Sequence, residues 1–137
     1  WLLPYQKQGW IEYEWKKDKQ VSEVRVLNTA NAGLNDFATI DYRIELRDAD
    51  GKVIVTQSKR FGKVFDRPFK AAFKYPEHFG KYSETFAGML EPGVPVPFGD
   101  GWQSTRFNAV EARKVRIYID SYWGLGGGLN EVQIYSE

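Results

Sequence analysis

The chain has no cysteine and a single histidine in 137 residues. The first absence removes thiol nucleophiles, thiolate metal sites and disulfides together. The second leaves His78 alone, with no nucleophile motif beside it, so it anchors neither a histidine-rich metal site nor a Ser-His-Asp triad. No apolar run approaches the roughly 18 residues of a membrane span. An excess of one charge is missing too. With 19 basic and 18 acidic residues the net charge is +1, and no broad field points to nucleic acid or an anionic membrane. The longest basic cluster, Lys16-Lys17-Asp18-Lys19, is broken by its acid and reads as a solvated turn. No segment carries sustained helical periodicity, and there is no internal repeat. The chain opens on Trp1 rather than Met, so a mature fragment, a trimmed chain or a part of a larger protein is expected.

Aromatic residues are plentiful: five Trp, eight Tyr and nine Phe. A core needs some of them, and the surplus favours an aromatic binding surface. Period-2 alternation is the dominant pattern. Trp10 to Trp15 sets Ile11, Tyr13 and Trp15 against Trp10, Glu12 and Glu14. Gln20 to Leu27 is a second strand with Val24 and Val26 inward, and Lys16 to Lys19 is the expected turn between the two. Asp41 to Arg47 alternates cleanly, with Tyr42, Ile44 and Leu46 on one face. Asp48-Ala49-Asp50-Gly51 then separates it from Lys52 to Gln57, a β-hairpin signal. Asn28 to Phe37 is small and polar, a loop. From Arg106 to Ser136 the pattern is strand, loop, strand. Val115, Ile117 and Ile119 form a dry face, Arg116, Tyr118 and Asp120 a wet one. Ser121 to Gly128 is expected as a tight aromatic and glycine loop, and Val132 and Ile134 point inward after it.

Between Ser58 and Gln103 the alternation stops. Five of the six prolines and the histidine fall there. Pro92, Pro95 and Pro97 exclude a helix or an inner strand. A long connection in a compact domain tends to be functional. Length predicts a single domain, 1–137. Many short strands with turn residues between them predict an all-β, antiparallel β-sandwich.

Three stretches resemble the discoidin-type (coagulation factor 5/8 C-type) galactose-binding-like domain, a jelly roll used by many carbohydrate-binding modules. Gly9-Trp10-Ile11-Glu12-Tyr13-Glu14-Trp15 with Val21-Ser22-Glu23-Val24-Arg25-Val26 is similar to its opening strand pair. Phe107-Asn108-Ala109-Val110-Glu111-Ala112-Arg113-Lys114-Val115-Arg116-Ile117 is similar to its "F-x-P-V-x-A-R-Y-V-R" stretch. Gly128-Leu129-Asn130-Glu131-Val132-Gln133-Ile134-Tyr135 is similar to its closing strand. The resemblance spans most of the chain outside 58–103. It implies that the family's N-terminal strand and acidic calcium loop would lie before Trp1, and that 58–103 is an insertion. Glu131 matches the position of the family's C-terminal calcium-ligand Glu. One carboxylate does not make a site for Ca2+, which wants six to eight oxygens. Glu131 otherwise is a wet-face strand residue.

The candidate ligand residues follow from what a sugar requires: an aromatic face for its C–H patches and polar side chains for its hydroxyls. Tyr122 and Trp123, in the glycine-rich loop, are the first candidates. Trp123 equally suits a plug over the end of the core. Trp102 with Asp100, Gln103 and Arg106 forms a second group, in which Arg and Asp bond adjacent hydroxyls, against a Trp packed on the sheet. His78, beside Tyr75 and Phe79, is the third, against a plain surface histidine.

Three apparent motifs fail. Asp48-Ala49-Asp50-Gly51 lacks the repeating acids and terminal Glu of a calcium loop. Gly124 to Leu129 lacks the dinucleotide spacing and a following helix. Glu12 and Glu14 share a strand face, whereas a glycosidase needs carboxylates facing across a cleft.

The resemblance implies a non-catalytic module that binds a glycan, galactose-like or a plant or host polysaccharide. It would hold the catalytic domain of a larger secreted, periplasmic or cell-surface enzyme near that glycan. The alternative is a structural or protein-interaction accessory domain that binds no sugar, with Trp102 and Trp123 buried in an apolar contact. An enzyme using Asp66, Glu77, Glu84 or Asp100 is a third reading, to which no pair of roles can be assigned.

Overall fold

A computed structural model describes residues 1–29, 37–61, 102–124 and 126–136, the side chains of Ala38 and Trp123 excepted. Among the described residues five strands are formed: β1 (Gly9–Asn28), β2 (Phe37–Arg47), β3 (Val53–Arg60), β4 (Gln103–Gly124) and β5 (Leu129–Tyr135). All pairings are antiparallel. They make one hydrogen-bonded sheet in the order β3-β2-β4-β1-β5. Among the described residues no helix is long and apolar enough to cross a membrane.

The sheet is folded over on itself. Tyr42 stands opposite Ile119 in the β2–β4 ladder, yet its hydroxyl donates to Gln103 Oε1 at 3.0 Å. Laid out straight, the stretch of β4 from Gln103 to Ile119 would span about 50 Å. Gln57 likewise pairs with Ile44, while its amide donates to the carbonyl of Arg106 at 3.2 Å. Both contacts require β4 to double back, with β1 following it. The corner lies where Trp15 to Asp18 of β1 stand opposite the single residue Arg113, between the Glu14–Lys114 and Lys19–Ala112 pairs. Extra residues of this kind bend a strand and let it pass from one layer of a sandwich to the other. The polar run expected as a hairpin turn is therefore a corner inside one strand. Both of its flanks keep pairing with β4, so the chain changes layer without reversing. Arg113 Nε donates to Asp18 Oδ1 at 2.7 Å across the corner.

Folding over buries the faces that the alternation singled out. Val24 and Val26 of one layer and Tyr42, Ile44, Leu46, Val115 and Ile117 of the other are all 0% exposed. Val132 and Ile134 pack against them, half-buried. The β2–β3 hairpin closes at Asp48–Gly51 as expected. Gly51 N donates to the Asp48 carbonyl at 3.1 Å, and Gly51 adopts φ +83°, a conformation for which glycine is suited.

Burial pushes the Tyr42 hydroxyl up to about 12 from 10.0. Tyr42 thus contributes stability that is complete below pH 10 and lost as pH rises toward 12. Wild type is expected to lose urea resistance over that interval more steeply than Tyr42→Phe. Equal slopes would refute the assignment.

Candidate ligand-binding site

The chain's first residues are bound to the connection between β4 and β5. The Trp1 amino group donates to Leu129 O at 2.9 Å, Leu129 N to Trp1 O at 2.9 Å and Leu3 N to Gly127 O at 2.9 Å. A Cβ on Gly128 would lie 2.6 Å from Trp1 O, so only glycine permits this approach. Beneath it, buried Asn28 and Thr39 lock three segments. Asn28 Nδ2 donates to Thr39 O at 2.8 Å, its Oδ1 accepts from Thr39 N at 3.0 Å and Thr29 N at 2.9 Å, and Thr39 Oγ1 donates to Gly128 O at 2.7 Å.

This anchoring lays Gln6, Lys7 and Gln8 beside the end of β4. Together with Asp120, Ser121 and Tyr122 they line a shallow open depression of about 430 Å³. Gln8 Nε2 donates to the Asp120 carbonyl at 2.6 Å. Lys7 N donates to Pro4 O at 3.1 Å, closing a turn in which Gln6 has φ 53°. A non-glycine residue there costs of order 1 kcal/mol, and such strain concentrates at ligand sites.

The polar wall is preorganised. Arg43 Nε and Nη2 donate to the two Asp120 oxygens, each at 3.2 Å, leaving the carboxylate lone pairs on the other side for hydroxyl donors. Ser121 Oγ donates to Asp41 Oδ2 at 2.6 Å. Arg60 Nε and Nη2 donate to both Asp41 oxygens at 2.6 and 2.9 Å. This guanidinium holds the Asp41 carboxyl below its ordinary value, with Ser121 adding to the effect and burial opposing it. Arg43 in turn lies 4.0 Å from the centre of the Tyr118 ring, and its Nη1 donates to Glu45 Oε1 at 2.6 Å. Arg47 and Arg116 both donate to Tyr118 Oη, at 3.2 and 3.1 Å, and Arg116 donates to Glu12 Oε2 at 2.7 Å. Sequence reading missed this outer-face network. Its signal is the alternation Arg43, Glu45, Arg47 beside Arg116, Tyr118, Asp120.

The candidates from sequence divide accordingly. Ser121 to Gly124 are not a loop. They extend β4 and pair with Phe37 to Asp41, because β2 continues far enough to hold them. Tyr122 is half-buried, packs on the core and lines the depression. Trp123 pairs through its backbone with Ala38, and its side chain is outside the described residues, as are His78 and Asp100. The expected insertion and the acids Asp66, Glu77 and Glu84 fall outside them too, apart from Ser58 to Phe61, of which Ser58 to Arg60 belong to β3, and Trp102 and Gln103. Trp102 is 37% exposed and lies at the same end as Tyr122. The amide of its neighbour Gln103 donates to Arg60 O at 3.0 Å, and Arg60 leads through Asp41 to Ser121. Arg106 is directed elsewhere. It stands opposite Glu23, whose carboxyl is held at about 2, first by Arg25 and then by Ser104. Glu131 is exposed on β5 and accepts from Gln133 at 2.8 Å. Among the described residues no group of three or more acids or histidines is placed to hold a metal.

No family model matches the sequence, and no curated protein matches it. Solved structures do. CBM32-3 from a family 31 glycoside hydrolase of Clostridium perfringens superposes with a TM-score of 0.64 at 14% identity, over 100% of this chain and 74% of that one. The fold is the galactose-binding-like β-sandwich. Two further galactose-binding-like structures are the lectin domain of lectinolysin complexed with Lewis B antigen (TM-score 0.56, 14% identity, 96% of this chain and 67% of that one) and a Streptococcus pneumoniae fucose binding module (0.55, 14%, 95% and 66%). The chain thus spans about two thirds to three quarters of the length of these structures. At this identity the likeness concerns the fold, which hosts many functions.

Proposed function

We propose that this protein is a non-catalytic carbohydrate-binding module whose site is the depression at the Tyr122 end of the sandwich. The observation that carries the reading is the meeting there of Tyr122, an Arg43-braced Asp120 and the side chains of Gln6, Lys7 and Gln8. A sugar ring presents C–H patches to an aromatic side chain and hydroxyls to a carboxylate and amides. Neighbouring structures of the same fold are a CBM32, a lectin domain and a fucose binding module, which supports the same ligand class. Trp102 is also exposed at this end. A shallow open site exchanges water for hydroxyls at little gain, so affinity is modest. In this reading the module keeps the catalytic domain of a secreted or surface enzyme close to its glycan.

A glycan array with and without calcium, followed by calorimetry, tests the proposal. Asp120→Ala and Tyr122→Ala are each expected to weaken binding about tenfold or more, equivalent to about 1.4 kcal/mol. Binding that is unchanged in both variants would move the site away from this depression. A folded wild type that binds nothing on a broad array would favour the accessory-domain reading.

A further inference from the structure

A second opening lies at the opposite end of the sandwich, inside the β1 corner. Trp15, Lys19, Gln20, Val21, Ile134, Tyr135 and Ser136 line it, and its volume is about 150 Å³. The depression of the proposed sugar site shares none of these residues. From this opening we infer a separate binding site for a single acidic sugar ring, a hexuronate.

Size comes first. Drug-sized ligands occupy roughly 300–1,000 Å³, so this opening admits one ring and not an oligosaccharide. Its chemistry is divided. Trp15, Val21 and Ile134 belong to the core or pack against it, which gives an apolar floor. Lys19 and Ser136 bring an ammonium and a hydroxyl group to the lining, and Gln20, whose Nε2 donates to Glu111 Oε2 at 3.3 Å, brings its amide oxygen. A pyranose ring has the matching division, an apolar C–H face and a polar edge.

Charge selects the acid. Lys16, Lys17, Asp18 and Lys19 follow Trp15 directly and are all exposed. The charge of Asp18 is offset by Arg113, at 2.7 Å, and Glu111, which accepts from Gln20 at 3.3 Å, offsets one lysine, so the other two leave the corner positive. A ligand carboxylate there gains attraction that a neutral sugar does not, and added salt screens it. The walls are held before any ligand arrives. Lys19, Gln20 and Val21 are paired with Ala112, Glu111 and Val110. Tyr135 is paired with Glu23, and Ser22 Oγ donates to its carbonyl at 3.4 Å. Corners of this type re-aim side chains, and they recur next to binding sites.

The test is a titration of the isotopically labelled full chain with sodium glucuronate, with methyl glucoside as the neutral probe. The Trp15 indole N–H resonance, assigned through Trp15→Phe, is the readout. Glucuronate is expected to shift it saturably, methyl glucoside to leave it in place, and salt to weaken the effect. Lys19→Gln, a surface change that leaves the fold intact, is expected to raise the dissociation constant about tenfold. Asp120→Ala is expected to leave it unchanged, so failure of the proposed sugar site and failure of this one are read separately. No saturable shift with glucuronate, an equal shift with methyl glucoside, or an unchanged constant in Lys19→Gln would each overturn the inference.

Discussion

Ile117→Ala is expected to lower the unfolding free energy by about 3 kcal/mol or more. Ile117 is 0% exposed and sits mid-sheet, opposite Ile11 on β1 and Ile44 on β2. Truncation leaves a gap between two paired strands that cannot collapse without shifting a ladder. Domains of this size hold about 5–15 kcal/mol in all, so the melting temperature should fall on the order of 10 °C. Ile54→Ala is the control. Ile54 is 47% exposed on β3, and a loss within about 0.5 kcal/mol is expected. Similar losses in the two variants, measured by urea denaturation, would contradict the folded-over packing.

Asn28→Ala is expected to cost about 2–3 kcal/mol, although it removes little apolar contact. Its side chain closes three hydrogen bonds to the backbones of Thr29 and Thr39, and alanine leaves two N–H groups and a carbonyl without those partners in a buried place. Asn28→Asp should not rescue stability. A carboxylate can accept from both N–H groups, but it cannot donate to Thr39 O, and it brings a charge into the interior. The urea midpoint should fall in both variants with little change in slope. A loss below about 0.5 kcal/mol in Asn28→Ala would remove Asn28 from its role as anchor of the sandwich end. Since this anchor underlies the β4 terminus, Asn28→Ala should also loosen the Tyr122 depression and weaken any ligand held there.

Much of the sandwich was legible in advance because strand faces are a local property. Alternation alone assigned Tyr42, Ile44 and Leu46, and Val115, Ile117 and Ile119, to the interior, and all six are buried. The Asp48–Gly51 hairpin was equally legible, since a turn is specified by the residues that form it. Two local readings went wrong where pairing overrode composition. Lys16-Lys17-Asp18-Lys19 has the polarity of a turn, but β4 runs along both of its flanks and makes it a corner. Ser121 to Gly124 has the look of a loop, but Phe37 to Asp41 lies alongside and extends the strand.

The candidate site was legible only in its aromatic member. Tyr122 was identified from its neighbours in sequence. Asp120 was read merely as a wet-face residue, because nothing local reveals that Arg43 of another strand bonds both its oxygens. Gln6 to Gln8 come from the far end of the chain, and Trp102 shares their end of the sandwich only because β4 doubles back.

Sequence by itself determined the fold class and the inward faces, and it singled out Tyr122 as a candidate, each of which depends on neighbours within a few positions. The tertiary structure decided where β1 and β4 turn over, which polar groups stand beside Tyr122, and that a second opening exists at the corner. Those outcomes depend on pairing partners tens of residues apart, and partner choice is settled by burying whole faces against each other rather than by any one segment.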